Sequence, residues 1–86
     1  DGCFTVSDEE LFALIALLHR HEGIAIEPSA AASLPGPWRV LAAPDGLRRI
    51  GVDGAELAHA THIAWATGGS MVPPEEMAAY IARGQQ

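Results

Sequence analysis

Two short apolar runs, each ended by a proline or a glycine, constrain most strongly what this chain can fold into. The first run, residues 24–26, stops at Pro28, and the second, residues 61–66, stops at Gly68. The first is too brief for a helix, and continuous hydrophobic residues are typical of strands that are covered on both faces. We therefore predict two short, buried β-strands.

A strong helix signal precedes the first run. Ser7 and Glu10 have the spacing of a capping box, in which Ser7 accepts from the Glu10 N–H and the Glu10 carboxylate reaches back. Apolar residues at helical spacing follow, and Gly23 is suited to end the helix. These signals predict a helix over residues 8–22.

The rest of the chain carries three weaker helical patterns. We predict a broken helix over residues 30–34 and 38–43, a helix over 54–60 opened by Asp53, and a last helix from Pro73-Pro74 to Gly84. The predicted order is α-β-α-α-β-α, and a crossover between strands makes them parallel. Because two parallel strands need further strands and helices on both faces, we predict a fragment of a three-layer α/β domain with a parallel sheet.

Composition excludes several functions. The chain has 5 Lys+Arg against 11 Asp+Glu, a formal net charge of −6, which predicts no nucleic-acid partner and no anionic membrane partner. No apolar run approaches the roughly 20 residues that span a bilayer. All the basic residues are arginines, so the chain lacks the lysine that forms Schiff bases with carbonyl cofactors.

Polar and glycine residues follow both predicted strands. Glu27 and Ser29 follow the first, while Thr67, Gly68 and Gly69 follow the second. The carboxyl ends of parallel strands lie at one sheet edge, with neighbours about 4.8 Å apart, so these residues are expected to meet around one ligand. Glycines let a main chain approach a flat ring or a phosphate, and a threonine hydroxyl can donate to a ring nitrogen without transferring its proton.

Simpler interpretations of the same residues stay open. Gly68 and Gly69 also fit an ordinary strand-to-helix turn capped by Thr67, and Glu27 fits a solvated carboxylate at a strand end. The histidines do not predict a metal site. His19 and His21 do not face each other on a helix, and the pair at 59 and 62 has no Cys or carboxylate at ligand spacing.

Two motifs resemble a known family. The stretch from Trp65 to Pro73, containing Thr67-Gly68-Gly69-Ser70, and the stretch Glu27-Pro28-Ser29-Ala30 resemble the carboxyl terminus of the bacterial D-serine dehydratases. These D-serine ammonia-lyases are fold-type-II pyridoxal-phosphate enzymes that convert D-serine to pyruvate and ammonia. The resemblance implies that residues 1–86 are a single C-terminal segment of a larger, cytoplasmic enzyme's catalytic domain.

The resemblance also implies roles for individual residues. Thr67 corresponds to the hydroxyl that meets the pyridine nitrogen of pyridoxal 5'-phosphate, Gly68 and Gly69 let the backbone pass close to the ring, and Glu27 lies at the ring edge with Ser29 nearby. No catalytic residue is expected in this segment, because the cofactor lysine lies upstream. The chain alone is therefore expected to be inactive, with the cofactor, D-serine and the rest of the parent chain as its partners.

A second hypothesis comes from a different class. Orderly helix capping is equally typical of a free-standing, acidic α/β binding module without a cofactor, in which Gly68-Gly69 is only a turn. A fragment that lacks its parent could still fold if it dimerised through an exposed sheet edge and apolar faces.

Overall fold

The computed structural model describes residues 2–85, and their regular structure is entirely helical. The elements are α1 (Asp8–Glu22), a 3₁₀ helix (Pro28–Ser33), α2 (Gly36–Ala42), α3 (Gly46–Arg49), α4 (Gly54–Leu57) and α5 (Pro74–Gly84). Within residues 2–85 no helix is both long enough and apolar enough to cross a membrane.

Helix α1 has the bounds that the sequence predicts. The Ser7 side chain accepts a hydrogen bond of 3.2 Å from the Glu10 N–H, and the Gly23 N–H donates to the His19 carbonyl at the other end. The Glu10 carboxylate does not complete the capping box as expected, because it pairs with the guanidinium of Arg39 on α2. One acidic side chain therefore links the first helix to the third helical element.

The core lies between α1, the segment that follows it and the 3₁₀ helix. Its buried side chains are Leu14, Ile15, Ile26, Ala30 and Ala31. Helix α5 packs along α1 on another side, where the Phe12 and Tyr80 rings lie 5.5 Å apart between centroids. The alanines of the 3₁₀ helix are buried in this cluster, and their small side chains let that helix lie close to α1.

The carboxyl end of α5 is fixed to α1 by a close backbone approach. A Cβ atom on Gly84 would lie 1.9 Å from the Phe12 carbonyl oxygen, so only glycine fits. The neighbouring Arg83 binds Glu9 at 2.6 Å, and its guanidinium carbon lies 4.2 Å from the centroid of the Phe12 ring. These contacts hold α5 against α1.

The predicted α/β fold with two parallel strands is wrong, because residues 2–85 contain no strand and no sheet. Residues 24–26 are not covered on both faces, since Ile26 is buried while Ile24 is exposed, and residues 61–66 are all exposed. The two segments share a single backbone hydrogen bond next to them, from the Glu27 N–H to the Gly68 carbonyl, where a ladder needs several. Two short runs without further strands cannot build a sheet, and the predicted sheet edge for dimerisation is absent with it.

The middle of the chain follows the predictions in part. The predicted break falls at Pro35, but the first half is a 3₁₀ helix and only the second half is α-helical. Asp53 caps α4 by accepting from the Glu56 N–H at 2.7 Å, as its spacing predicts, although α4 ends early, at Leu57. Helix α3 was not predicted, because its four residues carry too little apolar periodicity to be recognised.

Candidate functional site

Two segments, residues 27–29 at the start of the 3₁₀ helix and residues 67–70, meet although they are far apart in the sequence. The Glu27 N–H donates a hydrogen bond of 3.1 Å to the Gly68 carbonyl. A few residues away, the Ser33 hydroxyl donates to the Trp65 carbonyl, also at 3.1 Å. These two bonds bring together the two groups of residues that the sequence singles out, without any sheet to align them. We refer to residues 27–29 and 67–70 as the site loops.

Gly69, in the second site loop, lies against the backbone of residues 25–27, which lead into the first site loop. A Cβ atom at Gly69 would lie 2.7 Å from both the Ala25 carbonyl oxygen and the Ile26 Cα, and 3.2 Å from the Glu27 nitrogen. All of these neighbours are backbone atoms, which cannot rotate away as a side chain does. The close approach therefore requires glycine at position 69, whatever else the residue contacts.

The Glu27 carboxylate lies between the other site loop and a hydroxyl of its own loop. Its Oε1 accepts a hydrogen bond of 3.2 Å from the Ser29 Oγ. A Cβ atom placed on Gly68 would lie 3.5 Å from the same Oε1, which is an ordinary van der Waals contact. Glu27, Ser29 and Gly68 thus form one continuous surface, with the carboxylate in the middle.

Thr67 extends this surface by one residue and is exposed. It directly precedes Gly68 in the chain, and the Gly68 carbonyl is the group that accepts from the Glu27 N–H. The structure therefore brings Glu27, Ser29, Gly68 and Gly69 together and leaves Thr67 beside them, open to a ligand. Whether the five residues bind a cofactor remains a prediction.

The charges of this surface restrict what can bind. Glu27 is acidic, its neighbours are hydroxyls or glycines, and the first turn of α5 after the second site loop carries Glu75 and Glu76. Phosphate groups are bound by arginine, lysine, helix amino termini or glycine-rich backbone N–H groups, and a neighbouring carboxylate repels them. The carboxylates at this surface therefore favour an uncharged group or a hydrogen-bond donor over a phosphate group.

A separate open groove of about 540 Å³ lies elsewhere on the described residues. Its apolar wall includes Phe4, Leu41, Ile50 and Ile63. None of Glu27, Ser29, Thr67, Gly68 and Gly69 is among the residues that line it. The groove is therefore a second feature of the molecule, distinct from the surface that the site loops form.

Comparison with known proteins locates the chain within a longer enzyme. No protein-family model matches it. It is 57% identical over 86 residues to a probable D-serine dehydratase of Pseudomonas aeruginosa (strain UCBPP-PA14), covering 99% of this chain and 19% of that protein. It is 52% identical over 85 residues to the D-serine dehydratase of Serratia proteamaculans, again covering 99% and 19%. A probable D-serine dehydratase of Aeromonas salmonicida is 54% identical over 82 residues, covering 95% and 18%.

Identity at this level along nearly all of the chain shows that it is homologous to one segment of a class of dehydratases. Those dehydratases are the D-serine dehydratases, so the resemblance predicted from the two motifs is confirmed. The chain spans about a fifth of the length of the curated relatives that it matches, namely 19% in most of them, which is consistent with the predicted C-terminal segment.

Proposed function

We propose that this chain is the C-terminal part of a pyridoxal-phosphate-dependent lyase that deaminates D-serine to pyruvate and ammonia. The observation that carries the proposal is the similarity of the whole chain to proteins named D-serine dehydratase. The cytoplasmic location that the resemblance implies remains a prediction. The chain contributes no lysine, so the 86 residues alone are expected to be inactive.

Within that enzyme, the site loops would form one wall of the cofactor pocket, with Thr67, Gly68, Gly69, Glu27 and Ser29 as the contacting residues. The donor set fits the ring of pyridoxal phosphate and not its phosphate group, since the wall presents hydroxyls, bare glycine backbone and a carboxylate. When bound, the cofactor supplies an electron-withdrawing ring that makes the Cα proton of an amino acid acidic. The lysine and the phosphate-binding groups would come from the rest of the parent chain.

Four residues of the wall have distinct tasks in this proposal, and Gly69 lets the two site loops approach each other. The Thr67 hydroxyl donates a hydrogen bond to the pyridine nitrogen and keeps its own proton, so the ring stays neutral. Gly68 presents backbone without a side chain beside the ring. The Ser29 hydroxyl donates to the Glu27 carboxylate, with 3.2 Å between Oγ and Oε1, and so holds that carboxylate beside Gly68. This hydrogen bond fixes the acid at the ring edge.

Substitution of Thr67 in the full-length enzyme tests this assignment. Thr67→Asp would place an acid against the pyridine nitrogen and protonate it, so we expect a shift of the visible cofactor absorbance and a loss of turnover of about 100-fold or more. Thr67→Ser keeps the hydroxyl and should retain most of the activity. Spectra and steady-state kinetics of the purified holoenzymes measure both effects.

Thr5→Asp is the matched control, since it makes the same substitution at an exposed threonine outside the site loops. It should leave both the spectrum and the turnover unchanged. Equal turnover of the wild type and Thr67→Asp would remove Thr67 from the pocket. The alternative, a free-standing α/β binding module, also requires a sheet, and residues 2–85 contain none. Nothing in these residues favours that alternative.

A further inference from the structure

Several large apolar side chains outside the core cluster are exposed or about half exposed. Phe4, Leu41, Ile50 and Ile63 line the open groove of about 540 Å³. Ile63 is 87% exposed, and Trp65, two residues further along, is 77% exposed. We call these five residues the apolar face. Large apolar side chains left exposed together mark an interaction site in soluble proteins.

The backbone beside this face is also without partners. Among residues 2–85, no N–H of residues 61–66 donates a hydrogen bond to another backbone group. The segment is held mainly at its end, where the Trp65 carbonyl accepts from the Ser33 hydroxyl. Both the side chains and the N–H groups of residues 61–66 are therefore available to another stretch of polypeptide.

The shape of the chain shows that its own residues do not close over the face. The described residues have a radius of gyration of 14.6 Å and extents of 44 × 22 × 21 Å. A compact chain of this length would have a radius of gyration of about 12 Å. The core cluster is formed by α1, the segment after it and the 3₁₀ helix, and none of the five residues of the apolar face belongs to it.

We infer that the apolar face is an internal interface, covered in the full-length protein by the polypeptide that precedes residue 1. The chain spans 19% of relatives that it matches across 99% of its own length, so most of such a protein lies outside these residues. A covalently attached segment acts at an effective concentration of about millimolar, which a second copy does not reach in dilute solution. The inference rests on the proposed C-terminal position of these residues in a longer parent chain, but not on the assignment of the cofactor site.

The covering polypeptide must also satisfy the backbone that it buries. Buried N–H groups are almost always hydrogen-bonded, so carbonyl groups of the preceding chain are expected to accept from residues 61–66. Hydrogen exchange of the wild-type, full-length protein measures this directly. We expect the amides of residues 61–66 to exchange at least about 100-fold more slowly than in an unfolded peptide. Exchange within about tenfold of the unfolded rate would overturn the inference.

A photo-crosslink identifies the occupant. Benzoylphenylalanine introduced in place of Trp65 in the full-length protein should crosslink to a peptide upstream of residue 1 in the same molecule. Mixing ¹⁴N- and ¹⁵N-labelled protein separates crosslinks within one molecule from those between two. Crosslinks only between molecules would assign the face to a second copy, and the absence of any protein crosslink would leave the face in solvent; either result overturns the inference.

A pair of variants adds a readout that does not depend on probes. Ile63→Asp places a charge in the proposed interface, so it should lower the thermal midpoint of the full-length protein by several degrees. His59→Asp places the same side chain at an exposed position outside the groove and should leave the midpoint unchanged. Equal midpoints for both variants would contradict the inference. If Ile63→Asp does not fold, wild-type exchange and the crosslink still decide.

Discussion

Gly68 and Gly69 are adjacent in the sequence but meet different surroundings. A Cβ atom on Gly69 would lie 2.7 Å from the Ala25 carbonyl oxygen, whereas one on Gly68 would make only a 3.5 Å contact with the Glu27 carboxylate. Gly69 therefore serves the packing of the two site loops, and Gly68 serves their surface. The sequence T-G-G-S does not distinguish these tasks, because the difference depends on which backbone lies opposite.

Alanine substitutions separate the two glycines. Gly69→Ala forces the site loops apart and should lower the free energy of unfolding by about 2 kcal/mol. Gly68→Ala should change stability by less than about 0.5 kcal/mol, while weakening cofactor binding if the proposed pocket is correct. Urea unfolding of the full-length variants measures the stabilities. Equal losses for both substitutions would show that the close approach at Gly69 is not formed.

Tyr80, on α5, provides a titration signal from a single residue, because the chain contains one tyrosine. Its hydroxyl donates a hydrogen bond of 2.8 Å to the Glu76 carboxylate. This hydrogen bond raises the pKa of Tyr80 above 10.0, with smaller contributions from burial and from the charge of Glu76. Because the folded pKa is the higher one, the interaction stabilises the fold below the unfolded pKa and is lost as the pH rises through the folded pKa.

Glu76→Gln should therefore lower the pKa of Tyr80 in the 86-residue chain towards its ordinary value. The tyrosinate absorbance, followed through a pH titration, measures the midpoint. Glu75→Gln removes a neighbouring acid that does not bond the phenol and is the matched control. If the two variants titrate at the same midpoint as the wild type, the hydrogen bond is not present in solution.

At the scale of elements, the pairing of α5 with α1 depends on one small residue. Gly84→Ala would place a methyl group 1.9 Å from the Phe12 carbonyl oxygen, and the helix ends must separate to accept it. We expect the free energy of unfolding to fall by about 1–3 kcal/mol, with the loss of the Arg83 contacts included. Chemical denaturation followed by circular dichroism gives this value.

Gly54→Ala is the control for that measurement, since a Cβ atom at Gly54 meets nothing within 4 Å. It should be neutral or slightly stabilising, because alanine restricts the unfolded chain more than glycine does. A Gly84→Ala variant as stable as the control would mean that α5 does not pack on α1 as described.

Local signals predict the helical elements much better than the strands. The Ser7 cap, the Asp53 cap and the Pro73-Pro74 start act within one helical turn, and each leaves a recognisable pattern in the sequence. A strand depends on partners elsewhere, and residues 61–66 have no ladder partner among residues 2–85. An apolar run shows that a segment is to be buried, but it does not show what buries it.

The same limit applies to the candidate site. The carboxyl ends of the two apolar runs do meet, as the Glu27–Gly68 hydrogen bond shows, although the predicted sheet that was to bring them together is absent. The roles of Gly69 and Ser29 within that contact depend on which atoms lie opposite them. Only the three-dimensional structure supplies this, because the contacting segments are about forty residues apart in the chain.

For the whole molecule, the two hydrogen bonds at Glu27 and Ser33 join points on either side of α2, α3 and α4. The chain thus leaves this pair of hydrogen bonds, forms the three helices and returns to the same pair. Once the ends of such a long loop are fixed, doubling its length adds only about 0.6 kcal/mol of closure entropy. Evolution can therefore lengthen or shorten this part of the chain outside the residues of the apolar face, while the two hydrogen bonds keep Glu27 beside Gly68.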